Sequence, residues 1–475
     1  MIKRKLYIKY QVFVIISAIF TSFLGFVSIK ENGYELIFLI PFIYSLLFMV
    51  NKPMHRYSKT HNGMLVLNGI LYIKYVIAIF FIIINKDYSN AVYTGKVPSA
   101  ESCEQAIIYI LMEMIFVFGI IFLFANMFYK NNNDNNGQKD KFQKIKINIV
   151  LIGFLVIVGL VAIKRINIFM PTQALFINDQ YAMEKEESVG SIEVIFFAFK
   201  TILMGIIINH SILKYQKNEK IRYIIYSYIT ILVYVILNTS TSRINMIIPI
   251  AFFVLITQKI FGKRGKILLG LTVGILVLSI SSITVYKSAW LFKDEDYNLL
   301  DVAKVMTNQI QEYTSGIRPV AQGIEAVEQY KSNITVNTLA NDLFGSIPVV
   351  NSVFNSKDRI NIYYNRYVLG SSTENYPLIM PLVAISKAYF SDMFCWVLTA
   401  INILLMMYFD GRINKYKKNY LSTYMMTYLS FVFASSVYAN TQIIIGRICT
   451  KFIPVILIMY LNDKITMRRE ENEQR

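Results

Sequence analysis

The chain has 475 residues, 55% of them hydrophobic and only 16% charged, with a formal net charge of +18. A mean hydropathy of +0.46 and repeated long apolar runs exclude a soluble globular protein and a disordered one. In a soluble domain the positive charge would suggest nucleic acid, but its distribution along this chain excludes that partner.

Crossing the hydrocarbon takes about 20 apolar residues as a helix. Segments meeting that pattern fall at 10–28, 34–50, 64–84, 105–128, 147–163, 192–209, 223–238, 244–257, 267–286, 392–409, 421–439 and 443–461. They predict an all-α polytopic membrane protein of about 12 transmembrane helices. The first run directly follows Met1-Ile2-Lys3-Arg4-Lys5 with no small-residue cleavage site, so it is expected to be a retained span. With the N-terminus inside, segments 1–9, 51–63, 129–146, 210–222, 258–266, 410–420 and 462–475 face the cytoplasm and hold about 28 of the 48 Lys and Arg. That is the positive-inside bias, and it predicts a multi-pass protein of a bacterial cytoplasmic membrane with both termini cytoplasmic. Clusters such as Lys263-Arg264-Gly265-Lys266 are then topology signals. The run from Asn131 to Gly137 reads as a flexible inner linker able to join two helical halves.

Residues 1–286 are read as nine membrane helices, 287–391 as one large extracytoplasmic loop, and 392–475 as three further helices with a cytoplasmic tail. Loops longer than about 15 residues are usually functional. Asp301 to Tyr313 places Val302, Val305, Met306 and Ile310 on one helical face. Ser315-Gly316 breaks that helix, and Pro319 opens a second through Ile324, Val327 and Tyr330. Gly345 to Arg359 is rich in turn formers, and Tyr363 to Tyr367 is an aromatic and basic cluster. Leu378 to Phe390 is too short to span, so it predicts an interfacial or re-entrant helix.

The three cysteines and three histidines form no disulfide or metal-ligand pattern. His55, His61 and His210 fall on or near the cytoplasmic side, so neither a metal nor another cofactor is expected. Lys74, Glu113 and Lys200 lie inside spans, where an unpaired charge costs at least about 2.5–3.5 kcal/mol. They form either a Lys–Glu pair serving packing or a polar cavity for an anionic headgroup. Arg243 closes the hydroxyl-rich turn Asn238-Thr239-Ser240-Thr241-Ser242-Arg243 ahead of a helix. A guanidinium there matches phosphate oxygens, or it is an interface anchor. Arg318, Arg366 and Arg447 join it on the outer side. Tyr313, Tyr363, Tyr364, Tyr367, Tyr376 and Trp290 offer faces for sugar stacking, although aromatics also belong at membrane interfaces.

With these features the chain resembles the Wzy-type O-antigen and capsular repeat-unit polymerases. The resemblance rests on Thr241-Ser242-Arg243-Ile244-Asn245-Met246-Ile247, on the late outer loop and on the Ser-Gly pair after its first amphipathic stretch. It implies a GT-C-like membrane-embedded glycosyltransferase joining undecaprenyl-diphosphate-linked oligosaccharide units into O-antigen or capsule, with a chain-length regulator and a flippase as further partners. Arginines can stabilise a diphosphate leaving group without a metal, and the acceptor hydroxyl calls for a carboxylate base or a positioning group. Glu312, Asp342 and Glu374 lie in the loop and Asp392 borders it, and the residues themselves do not choose among these. The candidate catalytic set is Arg243, Arg318 and Glu312; the candidate substrate-binding set is Arg366, Arg447, Lys200, Tyr313, Tyr367 and Tyr376. The alternatives are a lipid-linked oligosaccharide flippase or transporter lined by Lys74, Glu113 and Lys200, and an O-antigen-ligase-like transferase differing in its acceptor.

Overall fold

A computed structural model describes residues 4–86, 88, 95–130, 142–164, 191–237, 244–261, 270, 274, 299–347, 350–354, 358–370, 378–416 and 419–473. Among these the regular elements are all helical, with no strand. A helix satisfies its backbone hydrogen bonds within one segment, as lipid demands. Six described helices are long and apolar enough to cross a membrane: Tyr7–Val27, Asn62–Asn85, Ala100–Phe128, Glu193–Asn218, Asp392–Ile413 and Thr441–Thr466. Shorter apolar helices occupy Leu39–Val50, Ile149–Lys164 and Ile221–Val235, and further helices cover Ile244–Phe261 and Tyr420–Ala434. The segment 267–286 lies almost wholly outside the described residues. In the first helix Phe13, Ile16, Phe20 and Phe23 are exposed while Val14 and Ala18 are buried. This is one apolar stripe left for lipid and one for the protein interior.

The chain forms two compact units. The first comprises Met1–Asp134, Asp294–Gly411 and Ser430–Gly446. Its membrane part is pinned by a buried ion pair. Lys74 lies in a π-helical turn, Ile73–Ile77, and its Nζ is 2.6 Å from Glu113 Oε2. That oxygen also accepts from the Tyr75 hydroxyl at 3.3 Å, and Oε1 accepts from Thr399 at 2.7 Å. The packing alternative for Lys74 and Glu113 is thus the arrangement found.

The loop residues of this unit fold into short helices: Leu299–Thr314, Ile317–Gln329, Val336–Phe344, Ile360–Leu369 and Leu382–Phe390. Their core gathers Val327, Ile360, Tyr364, Val368, Met380 and Ile385. Burying each large apolar side chain contributes about 1.5–3 kcal/mol. Gly323 allows a close approach, since a Cβ there would stand 2.6 Å from that of Ala384. Leu382–Phe390 has nine residues, too few to cross the bilayer.

The second unit comprises Asn135–Lys293, Arg412–Leu429 and Arg447–Arg475. Ser191–Asn218 and Ile221–Ile236 form a hairpin, turned at Glu219, whose φ is +48°. Gly205 makes room for Leu421, with a built Cβ only 2.8 Å from Leu421 Cδ1. The side chain of Asn209 accepts from the Tyr420 amide at 2.9 Å and donates to the Gln143 carbonyl at 3.0 Å.

Candidate functional site

The break between Leu299–Thr314 and Ile317–Gln329 places one pair of predicted site residues together. Ser315 sits in the left-handed region at φ +51°, and Gly316 is the extended N-cap of the next helix. A Cβ on Gly316 would press on Gln311 at 3.1 Å, so the tight turn favours glycine. The reversal brings Arg318, in the first turn of one helix, back to Glu312 near the end of the other. Arg318 Nη2 lies 3.0 Å from Glu312 Oε1, with side-chain exposures of 0% and 17%. Burial raises the Glu312 pKa, and the guanidinium opposes that shift. Beside them Tyr364 donates to Gln322, which donates to the Lys96 carbonyl at 2.8 Å.

A second cluster surrounds Asp342, on Val336–Phe344. Thr335 and Thr338 close a capping box at the start of that helix, which fixes the direction of Asp342 one to two turns on. Asp342 is 2% exposed. Its Oδ1 accepts from the Ile360 amide at 3.2 Å and from Gln442 Nε2, and its Oδ2 accepts from the Tyr389 hydroxyl at 2.5 Å. Gln442 is the second residue of the span Thr441–Thr466, so this carboxylate sits at one end of a membrane helix. Burial pushes the Asp342 carboxyl up to about 6, against the hydrogen bonds from Tyr389, Gln442 and Ile360 and the Arg359 charge. Burial and the Asp342 charge also raise Tyr389, keeping it a donor. Burial lowers Arg359, with Asp342 opposing. Arg359 gives one N–H to the Gly345 carbonyl, while its buried Nε meets no partner among the described residues. A Cβ on Gly345 would collide with this guanidinium and the Asn341 carbonyl.

Amides and a second carboxylate brace the cluster. Asp358 accepts from Thr338 at 3.1 Å, Tyr363 at 2.8 Å and Asn341 at 3.2 Å. Asn361 accepts from the Met380 amide at 2.8 Å and from Asn440 at 3.1 Å, while Asn365 accepts from the Leu378 amide at 3.0 Å. Three donors occupy Asp342 out of about four lone-pair positions on a carboxylate. Near neutral pH the carboxylate can therefore take a proton from a neighbouring hydroxyl.

The predicted residues divide as follows. Glu312, Arg318, Tyr313, Arg366 and Tyr367 belong to the first unit, and Lys200 and Arg447 to the second. Arg243 and Tyr376 lie outside the described residues; so does Asp294-Glu295-Asp296, the dense acidic group of the loop sequence. Arg318, expected to meet a diphosphate, is fully buried and paired with Glu312. Tyr367, expected to stack on sugar, is 8% exposed. Its ring face lies 4.0 Å from the Lys96 ammonium and its hydroxyl donates to Glu325. Tyr313 is 47% exposed, and Arg366 is partly buried. Among the described residues no three His, Cys, Asp or Glu gather as a metal-binding group. Arg359, Tyr389 and Gln442 were not singled out from the sequence, and spacing offers no signal for them. Comparison with protein families, with curated proteins and with solved structures finds no match for this chain.

Proposed function

We propose that this protein is a membrane-embedded glycosyltransferase polymerising undecaprenyl-diphosphate-linked oligosaccharide units at the outer face of a bacterial cytoplasmic membrane. In this reading all twelve apolar segments span, the architecture is GT-C-like, both termini are cytoplasmic, and 287–391 caps the outer side. The observation that carries it is Asp342, a carboxyl at about 6 beside Arg359 and at the end of a spanning helix. A base and a cation placed together outside the hydrocarbon suit group transfer between membrane-bound substrates.

The acceptor hydroxyl of the incoming unit takes the fourth position on Asp342 and attacks the anomeric carbon of the growing chain. The new glycosidic C–O bond forms as the bond to the lipid diphosphate breaks, and the hydroxyl proton passes to Asp342. The leaving diphosphate carries the released electron pair, and Arg359 offsets its charge. No metal enters this scheme. Glu312 and Arg318 then act as positioning residues that hold the cap. The transporter reading has less to stand on, because Lys74 and Glu113 neutralise each other and Glu113 is bonded through both oxygens.

The test is polymerisation by purified protein of a lipid-linked repeat unit, read as a product ladder. Wild type should give the ladder and Asp342→Asn only the starting unit, with both proteins equally folded. A full ladder from Asp342→Asn overturns the role of the carboxylate. A strain lacking the protein that displays no outer-leaflet units, rather than single capped units, overturns polymerisation in favour of flipping.

A further inference from the structure

We propose that the second unit binds one anionic lipid, its chain in an apolar groove and its phosphate against Lys200. This inference stands apart from the transferase reading and uses none of the cap residues. The groove runs between Ile149–Lys164, Ser191–Asn218 and Ile221–Ile236, a cavity of about 440 Å³. Gly159, Phe199, Leu203 and Val233 give it apolar walls, and Lys200, Thr230 and Tyr234 are its polar members. Ile163, Ile229 and Val233 are about half exposed or more on its rim, so it opens where an apolar solvent would be. From Ile229 to Leu237 it follows roughly 12 Å of helix.

Charge decides the occupant. Lys200 lies at the Leu237 end and is 6% exposed. It gives one of the three donors of an ammonium to the Leu237 carbonyl at 2.8 Å, and its Nζ lies 4.6 Å from the Tyr234 ring and 5.6 Å from the Phe197 ring. Among the described residues no carboxylate lies within ion-pair distance of it. Lys451 stands 5.3 Å from the same Phe197 ring and feels the charges of Arg447, Lys200 and Glu193. Arg447 holds a buried Nη1 with no partner among the described residues. Among the described residues, Lys200, Lys451 and Arg447 thus gather with Glu193 near Lys451, and Lys200 lines the groove itself. A membrane supplies a matching anion with an apolar chain attached, the phosphate of a phospholipid.

The simpler role for Lys200 is to cap the carbonyl end of Ile221–Ile236, as cations do at helix C-termini. Lys200→Gln separates the two roles, because an amide still donates to the Leu237 carbonyl but carries no charge. Gly159→Leu fills the groove without touching Lys200. A Cβ at Gly159 meets Phe199 only at ordinary contact, 3.6 Å.

Detergent-purified full-length protein would be titrated with phosphatidylglycerol or phosphatidylcholine and bound lipid counted by native mass spectrometry, with thermal unfolding recorded in parallel. Wild type should retain phosphatidylglycerol over phosphatidylcholine. Lys200→Gln should weaken that retention about tenfold or more, as losing a charge-assisted hydrogen bond implies, while lipid-free unfolding stays unchanged. Gly159→Leu should weaken retention of both lipids. Equal retention of the two lipids by wild type, or unchanged retention by Lys200→Gln, overturns the proposal. Displacement of phosphatidylglycerol by millimolar inorganic phosphate also overturns it, because the site then serves a free anion.

Discussion

Arg318→Met removes the buried guanidinium but keeps a comparable length of apolar side chain. Breaking a buried ion pair from one side costs about 3–5 kcal/mol, because the other charge is left uncompensated. Glu312 keeps 17% exposure, so some water reaches it and the expected loss lies near the lower end, about 3 kcal/mol. Glu312→Gln leaves a neutral acceptor at 3.0 Å from Arg318 and should cost about 1.5–3 kcal/mol. The double variant Glu312→Gln/Arg318→Met leaves no buried charge, so it should be more stable than the sum of the single losses implies. The pH dependence has a definite sign. Burial holds the Glu312 carboxyl above its ordinary value, and removing Arg318 removes the opposing influence. A folded-state pKa above the unfolded one means stability is fully present below the unfolded pKa and falls as pH rises through the folded one. Arg318→Met should therefore lose more stability at pH 8 than at pH 5, and the double variant should lack that slope. Thermal unfolding of the four proteins in detergent at both pH values measures this. Strict additivity with no difference in slope, together with lost polymerisation, would refute the structural pairing and return Arg318 to direct phosphate binding.

The same sign governs Asp342. With its carboxyl at about 6, stability should fall as pH rises toward and past that value, while transferase activity rises as the carboxylate forms. Asp342→Asn should abolish both trends, and an unchanged pH–rate profile would remove the carboxylate from the reaction. Lys74→Met leaves Glu113 buried with Tyr75 and Thr399, and should cost about 3–5 kcal/mol in stability. A loss below about 1 kcal/mol in thermal unfolding would show that water or another cation compensates. The charge bias predicts that Ser332→Cys, which is exposed, reacts with an impermeant thiol reagent in intact cells while exposed Thr60→Cys does not. Both variants would carry Cys449→Ser, since Cys103 and Cys395 are buried, and reversed labelling overturns the orientation. Polymerisation should persist in excess EDTA. Loss restored by Mg²⁺ and reproduced by neutralising Asp294 and Asp296 would move the chemistry to the start of the loop.

Local signals carried the secondary structure. Among the described residues the apolar runs are helices, because a helix closes its own hydrogen bonds and needs no distant partner. Ser315-Gly316 marked the helix break and Pro319 the first turn of the next helix, since both act through the backbone of a few residues. Even the unit boundary, after Asp134, falls inside the asparagine-rich run. Tertiary packing alone decided which polar residues meet. Asp342 finds its donors 18, 47 and 100 residues away at Ile360, Tyr389 and Gln442, and Glu113 reaches Thr399 across 286 residues. Arg318 read as an outer-side phosphate ligand because charge is visible in sequence, whereas its complete burial is not. Its pairing with Glu312 follows from the reversal at Ser315, which turns the two helices back on each other. A side chain's exposure is set by helices arriving from elsewhere in the chain, and no period or spacing within its own segment encodes their arrival.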